Sequence, residues 1–181
     1  MVERTFRHGR RAGVLLVAVA LSGAAWAGPA EYQDAAALAH AIALAEQGGG
    51  RILELRYQET NQLPAYEAWV VKGNLVEHRT IDPRSWAVTT AGSAMPVASL
   101  DLRERKAARN LRHARVSIAD AMMTAHKATD QPVTSAEFIT SPSASILAYQ
   151  IEMRGDMGTD RLLIDAKSGN VISTPDLVTS G

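Results

Sequence analysis

Few side chains in this 181-residue chain are of a type and spacing that could break bonds. There is no cysteine, which excludes thiolate catalysis, disulfides and thiolate metal sites. Beyond residue 27 the histidines are His40, His78, His113 and His126. No two of them stand four apart, the spacing that places two imidazoles on one helical turn, so no metal site is expected. The serines lie in no G-x-S-x-G elbow. Gly48-Gly49-Gly50 lacks the following Lys and Ser or Thr of a phosphate loop. No catalytic residue, metal or cofactor is therefore expected. A carboxylate pair is the one reactive arrangement left open, because such pairs meet only in the fold.

What remains suits binding. Trp69 falls on the same strand face as Glu67, opposite Tyr66, and Trp86 follows a turn later in the chain. Aromatic rings beside a carboxylate make good anchors for a partner, so Trp69, Glu67 and Trp86 are the candidate partner-binding residues. The alternative for Trp69 is packing beneath a basic helix between Leu100 and Leu111. Asp82, Asp165 and Gly169 are expected to be structural. An Asp in a turn accepts backbone N–H groups, and Gly supplies positive φ. Tyr66 and Tyr149 are expected in the core with hydrogen-bonded hydroxyls.

These residues need elements to hold them. Residues 1–27 read as a secretory leader: Arg4, Arg7, Arg10 and Arg11, an apolar run from Ala12, then Ala25-Trp26-Ala27. The expected mature chain starts at Gly28 and is periplasmic or secreted. The full chain has 19 basic and 19 acidic residues; the leader holds four Arg and Glu3, which leaves 15 basic, 18 acidic and a net charge of −3. That balance argues against a general nucleic-acid binder. Membrane contact is expected only through an uncleaved leader, or weakly through the Arg-rich stretch Arg103 to Arg115.

Residues 34–47 have helical spacing, with Asp34 as the expected cap and the glycine run as the stop. Residues 52–57, 65–72, 75–81 and 86–90 read as strands, with Gly73-Asn74 as a hairpin turn. In the first of these, Ile52, Glu54 and Arg56 are expected to alternate with Leu53, Leu55 and Tyr57. Residues 91–99 read as a linker, and Leu100, Ala107, Leu111 and Ala114 as the apolar stripe of a basic connecting helix. Ser117 caps a second helix whose apolar face is Ile118, Ala121, Met122 and Ala125.

The second half echoes the first. Leu63 to Val88 aligns with Ile146 to Val171 at a shift of 83, with identity at Ala65/Ala148, Tyr66/Tyr149, Ile81/Ile164, Asp82/Asp165, Ser85/Ser168 and Val88/Val171. The helices align at a shift of 80, and Glu54/Glu137 with Leu55/Phe138 at 83. The expected difference is a three-residue insertion between helix and first strand. Glu67, Trp69 and Val71 correspond to Gln150, Glu152 and Arg154. Because these polar faces differ, Glu152 is expected to tolerate Ala in both binding and stability.

The repeat resembles the PepSY domain family. The resemblance rests on Tyr149-Gln150-Ile151 and on Asp165-Ala166-Lys167-Ser168-Gly169, followed by Asn170-Val171-Ile172. The first copy has Tyr66-Glu67-Ala68 and Asp82-Pro83-Arg84-Ser85, but Trp86 stands where Gly is expected, so its turn is expected to differ in shape. The resemblance implies an α+β fold of two units, each one helix on an antiparallel meander, joined by a basic helix. The expected boundaries are 1–27 for the leader, 28–90 for unit one, 91–116 for the linker and connecting helix, and 117–181 for unit two. It also implies a non-catalytic binding or regulatory module whose partner is an extracytoplasmic protein, a peptidase among the candidates. A small-ligand or metal-binding periplasmic module and an enzyme with a carboxylate site are the alternatives.

Overall fold

The computed structural model describes residues 35–60, 63–141, 146–155 and 158–172. The leader, the start at Gly28 and the Asp34 cap lie outside them. Among the described residues no helix is long and apolar enough to cross a membrane.

The fold is α+β; the described residues form three α-helices and one antiparallel sheet of nine strands. Helix α1 (Ala35–Ala45) buries Leu38, Ala41, Ile42 and Ala45, the helical stripe its spacing dictates. Four strands follow: β1 (Arg51–Thr60), β2 (Leu63–Lys72), β3 (Leu75–Ile81) and β4 (Val88–Thr90). The β2–β3 hairpin turns on Gly73 at φ 62. The supposed linker is not bare. It contains β5 (Met95–Pro96), which pairs with β3, and a 3-10 turn over Val97–Ser99. Helix α2 (Leu102–Asn110) starts with a full capping box between Asp101 and Glu104. Leu100, Ala107, Leu111 and Ala114 are all buried, as the stripe predicts.

Helix α3 (Ile118–Thr129) is capped by Ser117, which accepts a hydrogen bond from the Asp120 N–H at 3.1 Å. Its buried residues are Ile118, Ala121, Met122 and Ala125, the face read from the sequence. Strands β6 (Val133–Thr140), β7 (Leu147–Gly155), β8 (Gly158–Asp165) and β9 (Val171–Ile172) complete the chain's second meander.

The two meanders are not separate sheets. Strands β1 and β6 pair, giving the order β4-β3-β2-β1-β6-β7-β8-β9. At that seam Leu55 faces Ala136, Glu54 faces Glu137 and Arg56 faces Ser135. Pairing removes two exposed strand edges, which is why the units fuse.

The seam also corrects the repeat register. Tyr57 pairs with Tyr66 and Phe138 with Tyr149. Their rings meet edge to face at 5.6 and 5.4 Å. Tyr57 is thus the counterpart of Phe138, a shift of 81 in the first strand rather than 83. Bulges after Ile52 and after Val133 agree with that shift. The insertion is therefore split: one residue between helix and strand, two in the following loop. Glu54/Glu137 and Leu55/Phe138 were chance matches. With a shift of 81, Leu55 and Ala136 are equivalents that pair with each other, so the seam has a local pseudo-twofold axis. The β1 bulge also breaks the expected alternation. Ile52 pairs with Val70 and Leu55 with Ala68, so Ile52, Leu55 and Tyr57 share one face.

Helices α1 and α3 cover that face side by side, over a core built on Tyr66, Tyr149, Phe138, Ile81 and Ile164. Helix α2 lies against the opposite face, where Arg103 reaches Glu137 at 3.6 Å.

Candidate functional site

On the α2 side, β2 presents Glu67 and Trp69 between β1 and β3. Strand alternation puts them there: Tyr66, Ala68 and Val70 are buried on the other face. Trp69 pairs across to His78, and the two rings stack at 4.9 Å with 25° between their planes. His78 Nε2 lies 3.8 Å from the Glu67 carboxylate. Leu100, Glu104 and Ala107 close the far wall from the α2 segment, with Glu54 and Glu137 on the floor. The result is a groove of about 450 Å³, within the range of ligand sites. Trp69 is half-buried and packed against the core. It is neither free on the surface nor sealed beneath α2.

Four carboxylates line this groove, from Glu54, Glu67, Glu104 and Glu137, against one lining cation, Arg56. Arg56 bonds Glu54. Burial pushes the Glu137 carboxyl above its ordinary value; Arg103 opposes the rise and the nearby Glu54 adds to it.

Trp86 lies elsewhere. Its ring stacks on Tyr66 at 6.3 Å and meets His40 of α1 edge to face at 4.4 Å, on the α1–α3 side of the sheet. One partner surface cannot use both tryptophans. Trp86 is also not in a strand. It has φ 57, the left-handed conformation of Gly169 at φ 78.

The two turns are the same turn. Trp86 N–H donates to the Asp82 carbonyl at 2.7 Å, and Gly169 N–H to the Asp165 carbonyl at 2.8 Å. Asp82 N–H donates to Ala87 and Asp165 N–H to Asn170, at 3.0 and 2.8 Å. The expectation of a differently shaped first turn is wrong. Aromatic packing on two sides holds Trp86 in a conformation that its Cβ disfavours. Each Asp side chain organises its own loop. Arg84 N–H and the Ser85 hydroxyl bond Asp82, both at 2.8 Å. Those bonds hold its carboxyl below the ordinary range. For Asp165, partial burial acts to raise the value. The Ser168 N–H, the Ser168 hydroxyl and the Lys167 N–H outweigh it, so the net shift is downward.

Glu152 is not the idle residue expected. It accepts from the Ser135 hydroxyl at 3.0 Å and from Arg161 at 2.9 Å. Removing it takes the partner from the buried Ser135 hydroxyl, while exposed Arg161 turns to water. Tyr149 donates to the Val116 carbonyl at 2.9 Å, and burial pushes its hydroxyl pKa up to about 12. The four histidines go to four places: His113 accepts from Arg112, and His126 faces the Gln131 carbonyl. Among the described residues no group of His, Asp and Glu could hold a metal ion.

Sequence reasoning missed two cations that tie segments together, buried Arg79 and half-buried Arg51. Arg79 donates to the Ala45 and Gln47 carbonyls at 2.6 and 2.8 Å, closing the C-terminus of α1, and pairs with Glu77. Arg51 donates to the carbonyls of Leu111 and Ala114 at 2.7 and 2.9 Å, fixing the chain after α2.

A family model described as the peptidase propeptide and YPEB domain, PepSY, matches residues 115–174. No curated protein matches the chain. Among solved structures, a "putative lipoprotein" from Clostridium difficile 630 aligns at 16% identity with a TM-score of 0.43, over 68% of this chain and 80% of that one. The family match spans Ser117, α3, the second meander and the Asp165–Gly169 turn. Residues 115–174, about a third of the chain, are therefore similar to the PepSY domain family.

Proposed function

We propose that the chain is a non-catalytic extracytoplasmic module that binds and restrains another protein, with a peptidase as the favoured class of partner. The PepSY match supports a binding or regulatory role over an enzymatic one. We further assign residues 35–90 as a diverged second copy of the same unit, because they repeat its element order, its edge-to-face ring pair and its turn.

The observation that carries the reading is the groove. It sets a half-buried indole among four carboxylates, on the face where the two copies differ. Such a groove fits a basic segment of a partner: Lys or Arg gains charge pairing with the carboxylates and a cation–π contact with Trp69. Glu67 and Trp69 are then the binding residues, while Trp86 serves the turn and the core.

The test is capture of a partner from an extracytoplasmic fraction, then calorimetry with the purified partner. Trp69→Ala and Glu67→Gln should each weaken binding by roughly tenfold or more. Trp69→Ala should lower stability by about 1–2 kcal/mol, less than a fully buried Trp would cost. Trp86→Ala should leave affinity unchanged. Equal affinity of the wild type and both groove variants would remove this assignment.

A further inference from the structure

The opposite end of the same sheet face carries a second cleft of about 560 Å³ with the reverse electrostatics. Arg51, Lys72, Arg109 and Arg112 line it, and no carboxylate does. Its rim is formed by the glycine turns at Gly50 and Gly73.

The charge is not an average property of the protein. The chain beyond residue 27 carries a net charge of −3. Arg56, Arg79, Arg103 and Arg161 each meet a glutamate elsewhere. Among the described residues none of the four cleft cations has such a partner. Arg51 and Lys72 donate to main-chain carbonyls, Lys72 to that of Gly48 at 2.7 Å, which leaves their charges uncompensated. Arg112 donates to His113 Nε2 at 3.3 Å and meets no carboxylate among the described residues, and Arg109 is exposed with no bond among them. Four like charges around one concavity repel each other and focus a positive potential into it. A multivalent oxyanion relieves that repulsion, and Arg forks match phosphate oxygens two at a time. The absence of a side chain at Gly73, where nothing lies within 4 Å of a built Cβ, leaves the rim backbone open to a ligand.

We infer that this cleft is a binding site for a phosphate-bearing ligand, with Arg109 and Arg112 as its free recognition arms and Arg51 and Lys72 as its fixed charges. It is separate from the acidic groove, and each site can fail without the other.

Calorimetry of the whole chain with pyrophosphate at low ionic strength should show saturable one-to-one binding that weakens as salt rises. The double variant Arg109→Ala, Arg112→Ala should bind at least roughly tenfold more weakly. Arg103→Ala, outside the cleft, should bind as the wild type does. Vesicles of phosphatidylglycerol, against phosphatidylcholine, decide whether a lipid headgroup supplies the phosphate; any retention on them should be lost in the same double variant. Both arginines are exposed, so the variant should melt with the wild type. If it melts early, Arg109→Gln alone carries the test and should still weaken binding severalfold. The inference is overturned if neither pyrophosphate nor phosphatidylglycerol binds, or if the arginine variants bind as well as the wild type.

Discussion

Asp165, Ser168 and Gly169 were legible as a turn because each residue type has one cheap backbone role there. Trp86 was not, because intrinsic preference places a non-glycine outside the left-handed region. Its packing on Tyr66 and His40 comes from two other elements, and nothing local to Trp86 announces it. That account is testable by comparing two substitutions. Trp86→Ala and Trp86→Gly both lose the ring contacts, but only Ala keeps the φ penalty. Gly should therefore be the more stable of the two by roughly 1 kcal/mol in denaturant melts. A more stable Ala would mean that the turn is not left-handed. Asp165 gives a second residue-scale prediction. Its folded pKa lies below the ordinary 3.8, so its bonds stabilise the fold above that value. The stabilisation is lost as pH falls through the lowered folded pKa. Asp165→Asn should cost about 1 kcal/mol at pH 7, at the low end for charged hydrogen bonds because the turn is exposed. The gap to the wild type should close as the solution is acidified below pH 3.8; a gap that is constant with pH would contradict it.

Helices and strands were legible wherever the apolar period was unbroken, as in α3. They misled where a bulge interrupts it, as at Leu53, and where one identity and one apolar pair at the wrong shift mimicked a register. The β1–β6 seam had no signal at all, since β1 and β6 each read as an ordinary strand and their mutual pairing is a tertiary choice. The seam sets Glu54 opposite Glu137, a like-charge cross-strand pair, in a partly desolvated groove. Glu137 is raised above the ordinary 4.5, chiefly by burial. For a raised carboxylate the favourable contribution is full below its unfolded value and lost as pH rises through the folded one. Glu137→Gln should therefore raise the melting temperature at pH 7 by a degree or two. The gain should shrink to nothing as pH falls towards 4.5. A variant less stable than the wild type at pH 7 would show that the Arg103 pair outweighs burial.

At the scale of the whole molecule, two helix-and-meander segments share one sheet through the β1–β6 pairing. Helices α1 and α3 close one face of it. The connecting helix breaks the symmetry by lying on the other face, where it walls off an acidic groove from a basic cleft. The basic composition of that helix was readable; its division was not. Arg103 and Lys106 turn to the β6 side while Arg109 and Arg112 turn to the cleft, because helical geometry and the sheet beneath decide which charge meets which partner. The central functional claim is that a partner protein sits in the groove beside Trp69. The most direct measurement is site-specific photo-crosslinking in an extracytoplasmic fraction. The crosslinker would replace exposed Arg56 on the groove floor or, separately, exposed Lys127 on α3 across the sheet. One partner band should form from position 56, disappear with Trp69→Ala in the same chain, and be absent from position 127. Equal crosslinking from both positions, or a band at position 56 that Trp69→Ala leaves intact, would contradict the account.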